Sequence, residues 1–85
     1  MPHIEIAYFD RPLSADQRLK LNNQITQVIQ DCLDVPKDAV SIALEPIASN
    51  NWVTEVVFLR MIARIAALLR EPGYDLPETS ILEDI

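Results

Sequence analysis

Residues 3–9 have the sequence HIEIAYF, and this stretch sets the frame for the rest of the chain. Successive side chains of a strand point to opposite faces, so Ile4, Ile6 and Tyr8 would share one face. The opposite face would then carry His3, Glu5, Ala7 and Phe9. Because both faces hold apolar groups, the pattern predicts a strand that is covered on at least one side and partly on the other.

An amphipathic helix is predicted to follow this strand. Ser14 is a good N-cap, and Gln17 three residues later completes a capping box. Apolar residues then recur at steps of three and four, the spacing of one helical stripe, at Leu21, Ile25, Val28, Ile29 and Cys32. We therefore expect a helix from Ser14 to Leu33, with Cys32 as a small buried hydrophobic residue.

A second strand and a second helix are predicted further along the chain. Residues 40–45 read VSIALE, an alternation typical of a strand, and Pro46 limits this strand or places it at a sheet edge. From Val53 to about Arg70 the pattern is helical and apolar around most of the circumference. A helix of that kind is expected to be covered on most sides.

The predicted order β-α-β-α places the chain in the α/β class. Two strands joined by a helix of this length are almost always parallel, with a right-handed crossover. A two-stranded sheet is marginal in water, so we expect two protomers to dimerise into a four-stranded sheet. Residues 1–75 are expected to form a single domain and residues 76–85 an acidic C-terminal tail.

The composition of the 85-residue chain excludes several classes of protein. Its net charge of −6 argues against nucleic-acid binding and against a polybasic membrane anchor. No stretch approaches the roughly 20 apolar residues of a membrane span. Since a secretory signal is also absent, the expected location is the cytoplasm. The single cysteine suits a reducing compartment, and one histidine with one cysteine makes no metal site.

Pro2 is the residue most able to carry chemistry. It directly follows the initiator Met1, whose removal would leave a free secondary amine on a rigid ring. Burial in an apolar cavity or a nearby cation disfavours the charged form of an amine and so lowers its pKa. Such an amine is suited to act as a general base near neutral pH and to return the proton to another atom.

The chain resembles the 4-oxalocrotonate tautomerase family of the tautomerase superfamily over about residues 2–75. The resemblance rests on the order and spacing of five segments: PHIEI (2–6), LSADQ (13–17), VSIAL (40–44), NW (51–52) and EPGY (71–74). It is most similar to the small dimeric tautomerases of enteric bacteria, whose chain ends in a second helix. The hexameric members end in a short hairpin instead.

The resemblance implies a tautomerase-like fold and a homodimer, with a hexamer as the alternative, acting on a small carboxylic acid without metal or organic cofactor. Family members use the amino-terminal proline, here Pro2, to move a proton between oxygen and carbon of an enol or dienol acid. The hexameric members bind the substrate carboxylate with an arginine in the loop that here holds Arg11. They carry a second arginine where this chain has Ser41, so a monocarboxylate or an arylenolpyruvate fits better than a dicarboxylate. The aromatic residue that lines their pocket corresponds to Trp52 in this chain.

Each of the binding residues also has an ordinary structural interpretation. His3, beside Pro2, either orients the substrate or is a strand residue half covered by a partner. Arg11 is either a carboxylate ligand or a solvated loop cation, and Trp52 either a pocket wall or interface packing.

Two other functions stay open. One is a different reaction of the superfamily, such as decarboxylation or hydrolytic dehalogenation. The other is a non-catalytic dimeric module that binds a small ligand or a partner protein.

Overall fold

The predicted first strand is β1 (His3–Phe9), which pairs in parallel with β2 (Ser41–Ile47). The computed structural model describes residues 1–76, which contain this one two-stranded sheet. His3 lies opposite Ser41, and Phe9 lies opposite Ile47. The parallel βαβ pattern predicted from the sequence is confirmed. β2 runs two residues beyond its predicted end and includes Pro46, which a strand with one unpaired edge tolerates.

Helix α1 (Ala15–Leu33) connects the two strands and begins at the predicted cap. The backbone N–H of Gln17 donates to Ser14 Oγ over 3.0 Å, and the backbone N–H of Ser14 donates to Gln17 Oε1 over 2.8 Å. This reciprocal pair satisfies two of the donors that a helix start leaves unpaired. The helix ends at Asp34, whose φ of 54° lies in the left-handed region.

The buried side of α1 matches the predicted stripe in part, since Leu21, Ile25 and Ile29 are half-buried. Thr26 is the buried residue of the helix, at 7% exposure, whereas Val28 is 57% exposed and Cys32 is exposed. The prediction of a buried Cys32 is therefore wrong. At about 3.6 residues per turn, Val28 lies roughly 160° around the helix from Thr26. The threonine can be buried because its hydroxyl donates to Asn22 Oδ1 over 3.3 Å.

Residues 1–47 form one compact unit, and a second unit begins at Ala48. The second unit is helical but irregular, with a π-helix over Val53–Met61 and a 3₁₀-helix over Ile62–Ala67. The prediction of one regular helix reaching about Arg70 is wrong in this respect, and the backbone of Arg64 (φ −130°, ψ 37°) departs from helical geometry. Clustered β-branched side chains weaken the preference for regular α-helical turns.

The described part of the second unit has a small core. Among residues 48–76 the buried residues are Val56, Val57 and Ile62, at 4%, 1% and 8% exposure. Leu59 is 64% exposed, so the helix is buried along one side and not around most of its circumference. No helix within residues 1–76 combines the length and the hydropathy needed to cross a bilayer. The predicted tail, residues 76–85, lies outside the described residues except for Leu76.

Candidate active site

Pro2 is held at the beginning of the sheet. It stands immediately before β1 and is half-buried, and its carbonyl oxygen accepts a hydrogen bond of 3.2 Å from the backbone N–H of Ser41. The parallel register thus extends one bond past β1 and fixes the backbone of Pro2. Met1, which acylates the Pro2 nitrogen in the full-length chain, is fully exposed. Its peptide bond with Pro2 therefore lies at an accessible chain end.

His3 is joined to two polar side chains. Its Nδ1 lies 2.7 Å from Ser41 Oγ, its partner in the strand register, and its Nε2 lies 3.4 Å from Glu5 Oε1. All three residues lie on one face of the sheet, since Glu5 is two positions along β1 from His3. The side chains of His3 and Glu5 are both accessible to water, at 51% and 61% exposure. The site next to Pro2 is therefore polar and open on this face.

Arg11 lies at the other end of the sheet. It follows Asp10, whose backbone N–H donates to Ile47 O over 2.8 Å and continues the ladder past β1. A strand rises about 3.3 Å per residue, so the seven residues of β1 put roughly 20 Å between its two ends. An arginine side chain does not span that distance. Within one chain, the structure does not bring Arg11 to Pro2.

Trp52 belongs to the second unit and is tied to the segment after the helices. Its Nε1–H donates to Tyr74 Oη over 3.3 Å, and the Tyr74 hydroxyl lies 3.7 Å from Met61 Sδ. The sequence assigned no chemistry to Tyr74. The polar edge of the indole is therefore engaged within the second unit.

A cavity of about 680 Å³ lies between α1 and β2. Its walls include Ile42 and Leu44 of β2, and α1 contributes the polar side chains of Arg18, Asn22 and Thr26. Side chains alternate between the two faces of a strand, so Ile42 and Leu44 point away from the face that holds Ser41. The cavity therefore lies on the sheet face opposite His3 and Glu5. None of Pro2, His3 and Arg11 lines it. The cavity is thus separate from the polar site around His3.

Sequence reasoning missed two features of the site region. It treated Ser41 only as the position of an absent arginine, and it gave Glu5 no role, yet both contact the imidazole of His3. The signal was present in the alternation of each strand, which places His3 and Glu5 on one face. The pairing of His3 with Ser41 depends on the strand register. Within residues 1–76, no group of three or more side chains is arranged to hold a metal ion.

Comparison with known proteins identifies relatives along most of the chain. A family model described as "Tautomerase enzyme" matches residues 2–61. The chain is 36% identical over 76 residues to Tautomerase PptA of Cronobacter sakazakii, covering 89% of this chain and all of the relative. It is 35% identical over 77 residues to Tautomerase PptA of Klebsiella pneumoniae and 36% identical over 77 residues to that of Escherichia coli O157:H7. Coverage of this chain and of each relative is again 89% and 100%.

Proposed function

The chain belongs to the tautomerase enzyme family, an assignment that makes it an isomerase, and we propose that it converts a small enol acid to its keto form with the amine of Pro2 as base and then acid. The observation that carries this proposal is the placement of Pro2. The residue is half-buried, its backbone is fixed by Ser41 at the start of the sheet, and the family match begins at this position.

The proposed proton transfer starts after removal of Met1, which frees the Pro2 nitrogen as a secondary amine. Its lone pair takes the proton from the substrate's enol hydroxyl, and the electrons of that O–H bond stay on the oxygen of the resulting enolate. The enolate oxygen then forms the carbonyl while the electrons of the carbon–carbon double bond take the same proton from the prolinium nitrogen, which returns to the neutral amine. Atoms and electrons balance within the substrate and this one residue, so the step requires no cofactor.

Partial burial is the property that would prepare the amine for this role. An amine withdrawn from water pays a desolvation penalty in its charged form, so its pKa falls toward neutrality. A larger fraction is then neutral and able to accept a proton at physiological pH. Trp52 is proposed as a substrate-contacting residue, since the faces of its indole suit the conjugated system of an arylenolpyruvate.

Arg11 is proposed to bind the carboxylate of a substrate that sits at Pro2 of a second copy of the chain. In a two-fold symmetric dimer, edge strands that pair across the axis run antiparallel, so the end of one β1 approaches the beginning of the other. That arrangement would bring the partner's guanidinium toward Pro2. Phe9 at the end of β1 is 54% exposed, and it is an apolar side chain that such a dimer could cover. The homodimer is the proposed state and the hexamer its alternative.

Ketonisation of phenylenolpyruvate, followed by its ultraviolet absorbance, tests the proposal. The processed wild type is expected to accelerate the reaction and Pro2→Ala to lose most of the acceleration. Intact mass must first show that Met1 is absent, because an acylated Pro2 nitrogen has no available lone pair. A chain that retains Met1 natively, or equal rates for the two proteins, would overturn the mechanism and favour a non-catalytic binding module.

A further inference from the structure

His3 contacts a polar side chain at each of its ring nitrogens. Ser41 Oγ lies 2.7 Å from Nδ1, and Glu5 Oε1 lies 3.4 Å from Nε2. The two partners come from different directions, one across the sheet and one along β1. The 2.7 Å contact with Ser41 restricts the orientation of an otherwise half-exposed imidazole.

The chemistry of the two partners favours one tautomer of a neutral ring. An ionised carboxylate only accepts hydrogen bonds, so it favours a proton on the nitrogen that faces Glu5. Nδ1 is then the acceptor, and the Ser41 hydroxyl donates to it. The neutral imidazole accordingly presents an Nε2–H donor on the open face of the sheet.

The donor at Nε2 is only weakly engaged within the protein. A separation of 3.4 Å is long for a hydrogen bond between nitrogen and oxygen, for which about 2.7–3.2 Å is usual. Glu5 itself is 61% exposed and free to move into solvent. An oxygen of an anionic ligand can therefore replace the Glu5 carboxylate at this donor without leaving a buried group unsatisfied.

We propose that Ser41 is a positioning residue that holds His3 so that its Nε2–H binds an oxygen of a monoanionic aryl enol acid while Pro2 moves the proton. This inference rests on the proposed function and names the group that orients its substrate. Ser41 is suited to the role because its backbone N–H also holds the Pro2 carbonyl. One residue of β2 thus fixes the base through its backbone and the neighbouring donor through its side chain.

Nuclear magnetic resonance of the imidazole provides a test that does not depend on turnover, since His3 is the only histidine of the chain. The probe is 3-phenylpropanoate, an aryl carboxylate that cannot tautomerise. In the wild type, its addition is expected to shift the ¹⁵N resonance of Nε2. In Ser41→Ala, the Nδ1 resonance should move toward that of an unbonded ring, and the Kd for the probe should rise at least five-fold.

Kinetics of the same variants separate positioning from a general structural effect. Ser41→Ala is expected to raise KM for phenylenolpyruvate at least five-fold with a smaller change in kcat, and Ser41→Thr, which keeps the hydroxyl, to restore both the KM and the Nδ1 resonance. Ser49→Ala is the matched control and should resemble the wild type.

The outcomes distinguish the inference from the function on which it rests. An unchanged Nδ1 resonance and an unchanged probe affinity in Ser41→Ala would overturn the inference, even if Pro2→Ala abolishes turnover. A wild type that binds the probe through His3 but does not ketonise phenylenolpyruvate would instead overturn the proposed function and support the binding role.

Discussion

Pro2 and Arg11 lie beyond opposite ends of β1, with the seven residues of that strand between them. A site that uses both therefore needs two copies of the chain, one supplying the amine and the other the guanidinium.

Arg11→Ala is expected to raise KM for an anionic substrate about ten-fold or more, since a hydrogen-bonded charge pair contributes roughly 1.5–3 kcal/mol, and to leave kcat less affected. Mixing Pro2→Ala and Arg11→Ala subunits gives a sharper test at low substrate concentration. A random mixture of dimers would contain about a quarter of its sites with both groups intact, because each heterodimer regains one complete site. Activity no higher than the mean of the two variants would show that the sites do not combine residues from two chains.

Ser14→Ala is expected to destabilise the protein by about 1 kcal/mol, because it leaves the first-turn N–H groups without the side-chain acceptor seen at 3.0 Å. For a chain of this size that corresponds to a fall in Tm of roughly 4–8 °C. Thermal unfolding followed by circular dichroism measures the change. Ser14→Asp keeps an acceptor at the cap and should stay close to the wild type, so equal losses in both variants would rule out the cap as the cause.

Asp34→Gly is expected to stabilise the protein slightly, by up to about 1 kcal/mol, because the left-handed backbone at φ 54° suits glycine better than a residue with a Cβ. Asp34→Ala should have the opposite sign, since alanine bears the steric cost without the local hydrogen bonding of an aspartate. Urea unfolding of both variants checks the order of stability. If alanine proves more stable than glycine at this position, helix propensity and not the C-cap geometry controls the end of α1.

Tyr74→Phe is expected to change the fluorescence of Trp52, the only tryptophan, because the variant removes the acceptor that lies 3.3 Å from the indole nitrogen. The cost in stability should be about 0.5–1 kcal/mol, as for one partly exposed hydrogen bond. The other tyrosine provides a control, since Tyr8→Phe leaves the indole contact intact. Identical emission spectra for Tyr74→Phe and the wild type would show that the indole N–H does not donate a hydrogen bond to the Tyr74 hydroxyl in solution.

Local signals predicted the first unit well. The alternation in residues 3–9 and the capping box at Ser14 each depend on neighbours within a few residues, so β1 and the start of α1 could be placed from the sequence. The parallel pairing followed because the connecting helix leaves little alternative. Burial on α1 was harder, since Thr26 is accommodated by a bond to Asn22 that hydrophobicity does not register.

The second unit and the site illustrate what periodicity leaves undetermined. Apolar residues around most of Val53–Met61 do not distinguish α-helical from π-helical hydrogen bonding, because no polar face marks the turn. Pro2, His3, Arg11 and Trp52 could be proposed as site residues from their types and order. The contact of His3 with Ser41 depends on the register of β1 and β2, which places two residues 38 positions apart in the chain side by side. No local pattern in the sequence carries that information.

The hydrogen bond from Ser41 to the Pro2 carbonyl has a practical consequence for anyone producing this protein. A purification tag fused ahead of residue 2 would leave the Pro2 carbonyl and the Ser41 N–H in place, so β1 and β2 could still pair. The Pro2 nitrogen would nevertheless stay acylated. Under the mechanism proposed for Pro2, a correctly folded protein with such a tag would be inactive, and an affinity tag is better placed at the carboxyl terminus.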